Sequence, residues 1–197
     1  MVQHPRVSSD EEERYFKELE LETRARLRKN LEKDAAALAD QRQVARQVGT
    51  EDLDLAERVR KLGFDGDKAR VFDLLPLVWV AWADGTVTRS ERATILGVLE
   101  RRGVAPGSPP FQVIESLLEE RPTDTYLQQA LEVLRDVLAD KPAATDTLVD
   151  LCVAVADASG GFLGLGNRIS GEERAQLAAI VQTLGAEAES EFRKHFG

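Results

Sequence analysis

Cysteine is almost absent from this chain: the one example, Cys152, sits inside the apolar run Leu148-Val149-Asp150-Leu151-Cys152-Val153-Ala154-Val155. No disulfide can form within the chain, and the residue reads as a small buried hydrophobe suited to a reducing, cytoplasmic setting. Histidine is equally scarce. His4 and His195 stand near the two ends of the sequence, so neither a Cys/His zinc set nor a histidine base for a serine or threonine nucleophile is expected within the fold. No apolar run is long enough to cross a bilayer, and the opening Met1-Val2-Gln3-His4-Pro5-Arg6, followed by Ser8-Ser9-Asp10-Glu11-Glu12-Glu13, has no apolar signal core. The expectation is a soluble protein with no integral membrane segment.

Strand signals are missing as well. Aromatics make up 6 % of residues, sustained apolar/polar alternation does not occur, and Ala, Leu, Glu and Arg dominate, which points to an all-α protein. Positive charge is in deficit, with 26 bases against 35 acids and a net charge of −9. Attraction to phosphate backbones is therefore disfavoured, and nucleic acid is excluded as the expected partner. Residues 115–150 carry nine acids (Glu115, Glu119, Glu120, Asp124, Glu132, Asp136, Asp140, Asp146, Asp150) and three bases (Arg121, Arg135, Lys141). That stretch is either a solvated acidic face or a surface for cations or a basic protein.

What the chain does have is helical pattern throughout its 197 residues. A charged extension over residues 1–49 precedes a domain over 50–197. The first helix is expected from near Ser9, with acids in its first turn to complement the helix dipole, to about Gln47, with Gly49 ending it. Tyr15, Phe16, Leu19, Leu27, Leu31, Ala35, Leu38, Ala45 and Val48 recur on one stripe. The chain's own core or a second copy, a homodimer through residues 9–47, should cover it. Thr50 caps a short helix to Leu62, and Gly63-Phe64-Asp65-Gly66-Asp67 makes a turn. The run from Val71 to Ala83, apolar on almost every side, reads as a central helix kinked by Pro76 or carrying it in its first turn. Trp79 and Trp82, three apart on one face, read as core packing before a ring-gripping site. Further helices are expected at about 90–102, 111–120, 126–139, 148–156, 170–184 and 186–196. The clearest loop is Ala105-Pro106-Gly107-Ser108-Pro109-Pro110, and Lys141-Pro142 opens a second repeat.

One pattern is written twice. Ala83-Asp84-Gly85-Thr86-Val87-Thr88-Arg89-Ser90-Glu91-Arg92 has a counterpart in Ala156-Asp157 and, after an insert, Ile169-Ser170-Gly171-Glu172-Glu173-Arg174. The repeat units are about 67–103 and 142–184, each a helix, an acidic turn and a capped helix. Thr88-x-x-Glu91 and Ser170-x-x-Glu173 both have capping-box spacing, with Val87 and Ile169 at the staple position. The alternative is a cation site. Asp84-Gly85-x-Val87-x-x-x-Glu91 copies the second half of a calcium loop, but Val80 and Trp82 stand where its first ligands belong, so a complete calcium hand is excluded. A divalent cation of calcium or magnesium type would need Asp84, Glu91, Asp157 and Glu173 to converge. The insert, Gly160-Gly161-Phe162-Leu163-Gly164-Leu165-Gly166, lacks the Lys-Ser/Thr ending of a phosphate loop. Its apolar residues either tuck over the core or form a docking knob. No catalytic constellation emerges beyond carboxylates, so an enzyme is not expected.

The segment from Leu77 through Arg92, followed by a helix to Leu99, resembles the signature of the tellurite-resistance TerB family and its wider TerB-like group. The second acidic turn resembles the later turn of the same domain. The resemblance covers about residues 50–197. It implies a compact, duplicated all-helical bundle without enzymatic activity, acting in bacterial stress response within membrane-associated complexes. It also implies a protein partner and a metal held by acidic positions, here Asp84, Glu91, Asp157 and Glu173. The rival readings from the residues are a metal-dependent carboxylate-based hydrolase and a pure scaffold acting through the N-terminal helix.

Overall fold

The computed structural model describes residues 9–139, 141–159 and 169–196. Among them lie nine α-helices, one 3-10 helix and no strand. The helices are α1 (Ser9–Val48), α2 (Leu53–Lys61), α3 (Leu75–Ala81), α4 (Arg89–Arg101), α5 (Pro109–Glu119), α6 (Asp124–Leu138), α7 (Pro142–Ser159), α8 (Gly171–Leu184) and α9 (Ala186–Phe196), with the 3-10 helix at Gly66–Leu74. The all-α class is the one expected from composition and periodicity. Two units are distinguished by their internal contacts, one ending at Asp40 and the other beginning at Gln41. The division falls inside α1, ahead of the Gly49 that ends it. No helix among the described residues is long and apolar enough to cross a membrane.

In the first unit, α1 is a charged helix whose large apolar residues are exposed. Tyr15, Phe16, Leu19, Leu21, Leu27, Leu31 and Leu38 all face solvent. Ion pairs one turn apart, Glu13 with Lys17 and Glu20 with Arg24, support the helix locally.

The second unit is built around α3. Its run Leu75-Pro76-Leu77-Val78-Trp79-Val80-Ala81 is buried apart from the partly buried Trp79, as an all-round apolar sequence requires. It packs against α4, α5, α6, α7 and α8. The expected single helix over this region is instead two elements, because Pro76 has no N–H to donate and fits only within the first turn of α3. The preceding residues wind as the 3-10 helix, whose Phe72 meets Phe64 edge to face at 5.2 Å. Val44 and Ala45 join the same core. Beyond Val48 the chain turns through Gly49 at φ +70, a left-handed conformation that glycine adopts without strain. The Lys141 ammonium donates to the Val48 carbonyl at 2.8 Å, satisfying an acceptor that the helix end leaves open.

Several starts differ from expectation, each for a local reason. Asp52, not Thr50, caps α2: its Oδ1 accepts from the amides of Asp54 and Leu55, while the Thr50 hydroxyl accepts from the Asp52 amide one step earlier. Helix α5 begins at Pro109 because the fixed φ of proline suits a first turn, so the loop closes at Ser108. Helix α6 begins at Asp124 because the Thr123 hydroxyl accepts from the Tyr126 amide. Two polar tethers bind these elements to the core. Trp82 Nε1 donates to the Leu117 carbonyl, and the Tyr126 hydroxyl donates to the Leu62 carbonyl, each at 2.9 Å.

Candidate functional site

Both acidic turns are capping boxes. Thr88 Oγ1 accepts from the Glu91 amide at 3.2 Å while Glu91 Oε2 accepts from the Thr88 amide at 2.7 Å. Ser170 Oγ and Glu173 Oε2 make the same reciprocal pair at 3.1 and 2.6 Å. The two glutamates are 1 % and 3 % exposed, so each carboxyl is largely committed to holding a helix start. Asp84 does a different job. Its Oδ1 accepts from the Thr86 amide at 2.9 Å, an Asx turn that the chain enters before Gly85 at φ +91.

Burial pushes the Glu91 carboxyl above its ordinary range, against the lowering effect of its Thr88 hydrogen bonds. The negative charges of Glu173 and Asp84 add to the rise. The two turns are therefore near enough to sense each other. No three of Asp84, Glu91, Asp157 and Glu173 bring an oxygen each within 4.8 Å of one another, whereas a different set of described residues does. Asp157 is half-buried near the end of α7.

That set is Asp150, Glu191 and His195, the one such group among the described residues. Asp150 projects from α7, and Glu191 and His195 lie one turn apart on α9, which packs on both α7 and α8. His195 Nε2 lies 2.8 Å from Asp150 Oδ1, with side chains 34 % and 57 % exposed. The Glu191 side chain is only 11 % exposed and pairs with Lys194. Its hydrogen bond and charge, with smaller contributions from the charges of Asp146 and Asp150, hold the Lys194 ammonium above its ordinary range. The end of α9 is fixed from the other side, where Arg174 of α8 stacks over the Phe196 ring at 5.1 Å and donates to its carbonyl.

His195 is therefore a correction to the expectation that no histidine takes part in a site within the fold. Its helix docks because Ala188, Glu191, Phe192 and Phe196 pack inward, which carries the imidazole to Asp150. The sequence offered one signal, Glu191-x-x-x-His195, a pair of metal-competent donors at the spacing that shares a helix face. The pair alone does not declare a site, because the third donor, Asp150, comes from α7 and is distant in sequence. His4 and the insert Gly160–Gly166, including the docking knob read at Phe162, Leu163 and Leu165, lie outside the described residues.

The site chemistry follows from the donors. An imidazole nitrogen with two carboxylate oxygens suits a borderline ion such as zinc more than calcium or magnesium, which prefer an all-oxygen shell. Three protein ligands also leave a coordination position open. A separate cavity of about 240 Å³ is lined by residues including Val48, Phe72, Leu134, Val137 and Leu138. Arg102 and Asp73, paired at 2.6 Å, and Lys141 stand among its polar lining. Cys152 is buried, and burial pushes its thiol far up, so it is neither a nucleophile nor a ready metal ligand. No protein-family model matches the chain, and no curated protein or solved structure does either.

Proposed function

We propose that this chain is a non-enzymatic, TerB-like module of bacterial stress response that binds a divalent cation and a protein partner. The cation is held not by the acidic turns but by Asp150, Glu191 and His195. The single observation that supports the cation half is the approach of three different donors, from two packed helices, to within 4.8 Å of one another. The turns support the fold: Glu91 and Glu173 each spend an oxygen on a capping box, which leaves Asp84 as the exposed acid of the first turn. The resemblance of Leu77–Arg92 to the TerB signature supports the family reading, and the metal it implies moves to a neighbouring pair of helices. The partner half rests on the exposed apolar residues of α1.

Bound there, a zinc-type ion would displace Lys194 from Glu191 and tie α9 to α7. Metal ligation of this kind adds its binding free energy to folding. The test is the melting temperature of the full chain, stripped with chelator and then given zinc chloride. A rise that is lost in D150N and H195A but kept in D84N supports the assignment. A rise that D84N abolishes and D150N leaves intact would return the site to the acidic turns.

A further inference from the structure

The exposed apolar residues of α1 are arranged, not scattered. Tyr15, Leu19, Leu27 and Leu31, with Thr23 and Ala35 between and beyond them, follow one another at intervals of four, and Phe16 and Leu38 flank the row. An i to i+4 row is the ridge that one helix presents to another. Thr23 stands at its centre, and its hydroxyl donates to the Leu19 carbonyl at 2.8 Å. It can therefore enter an apolar seam with its donor satisfied. Leu21 lies off the row.

Charge identifies what covers the row. Residues 11–22 hold Glu11, Glu12, Glu13, Glu18, Glu20 and Glu22 against Arg14 and Lys17, whereas residues 24–33 hold Arg24, Arg26, Arg28, Lys29 and Lys33 against Glu32. The helix is acidic on one side of Thr23 and basic on the other. A second copy running antiparallel, Thr23 facing Thr23, sets Leu19 level with Leu27 and Tyr15 level with Leu31. Glu18, Glu20 and Glu22 then come level with Arg28, Arg26 and Arg24. A parallel pair would lay acid on acid and base on base, which is unfavourable. We infer that α1 of a second copy of this chain covers this face, antiparallel and centred on Thr23.

Full-length chain tests the pairing by sedimentation velocity and by disulfide trapping. Self-association should appear as concentration rises. The triple change E18K/E20K/E22K should weaken it about tenfold or more, and adding R24E/R26E/R28E to the same chain should restore it. Under oxidation T23C should crosslink to itself, while E13C should not, because the antiparallel register separates the two Glu13 positions by about 30 Å at 1.5 Å per residue. Cys152 is buried and stays out of the reaction. The altered side chains lie on exposed positions of α1, and unchanged circular dichroism confirms that each variant folds. A monomer at every concentration overturns the inference, and so does E13C crosslinking as readily as T23C. This pairing rests on the partner half of the proposed function and names that partner as a second copy; it is independent of cation binding at Asp150, so either can fail without the other.

Discussion

Replacing Glu91 by alanine and by glutamine separates a helix cap from a metal ligand. In E91A the Thr88 amide loses its 2.7 Å acceptor at a partly buried site, and an unmade hydrogen bond of that kind costs about 1–3 kcal/mol. One buried methylene is lost as well, adding about 0.8 kcal/mol, while relief of the buried charge offsets part of the sum. The expected net loss is about 2–3 kcal/mol. For a unit of this size that corresponds to a fall in Tm of about 5–10 °C. In E91Q the amide oxygen can still accept from Thr88, so the loss at neutral pH should be within about 1 kcal/mol. Urea unfolding followed by Trp79 and Trp82 fluorescence measures both. The pH dependence carries a sign. A carboxyl held above its ordinary range binds its proton more tightly in the folded chain. It therefore stabilises the fold below its unfolded pKa, and that contribution is lost as pH rises through the folded value. Wild type should gain on E91Q as pH falls from 7 toward about 4. A glutamine variant as unstable as the alanine variant would refute the capping argument, since only a requirement for charge at that carboxyl would explain it.

Trp82→Phe should cost about 1–3 kcal/mol, because the Leu117 carbonyl loses the indole donor that ties α5 to the turn after α3; chemical denaturation reads it. Cys152 should ignore a thiol reagent in the native chain and react at once in denaturant, consistent with burial and a raised thiol pKa. Fast labelling of the folded protein would contradict the core position. Arg58→Ala should lose about 0.5 kcal/mol or less, since the 2.7 Å pair with Asp136 that joins α2 to α6 is half exposed. The Arg58 hydrogen bond, helped by Arg135, holds the Asp136 carboxyl below its ordinary range. That contribution is therefore present above the unfolded pKa and lost as pH falls through the folded value; acid titration of wild type against R58A checks it.

Much of the fold was legible because its signals are local. Gly49 and Gly103 end α1 and α4, and Thr88-x-x-Glu91 and Ser170-x-x-Glu173 form the reciprocal hydrogen bonds their spacing implies. What was illegible depended on competition or on distance. Thr50 and Asp52 are both competent caps, and only the backbone path decides which one serves the amides of α2. Pro76 permits either a kink or a first turn, and the packing of Phe72 against Phe64 favours a separate 3-10 segment before it. The acidic turns stood out because they are repeated, yet repetition records a shared way of starting a helix as readily as a shared ligand. The cluster at His195 is not repeated at all. It forms only when α9 folds back on α7, a contact that no local pattern specifies. On α1 the apolar row is plain in the sequence, but whether the chain's own core covers it is decided by packing, which leaves those side chains exposed.

Calorimetric titration of zinc chloride into chelator-treated, full-length protein, in parallel with D150N, addresses the cation site most directly. Asp150 is exposed, so D150N should keep its fold while losing one of three donors. Saturable binding of one ion per chain, weakened about tenfold or more in D150N, is the expected result. Indistinguishable isotherms for the two proteins, or no saturable heat with wild type, would contradict a site at Asp150, Glu191 and His195.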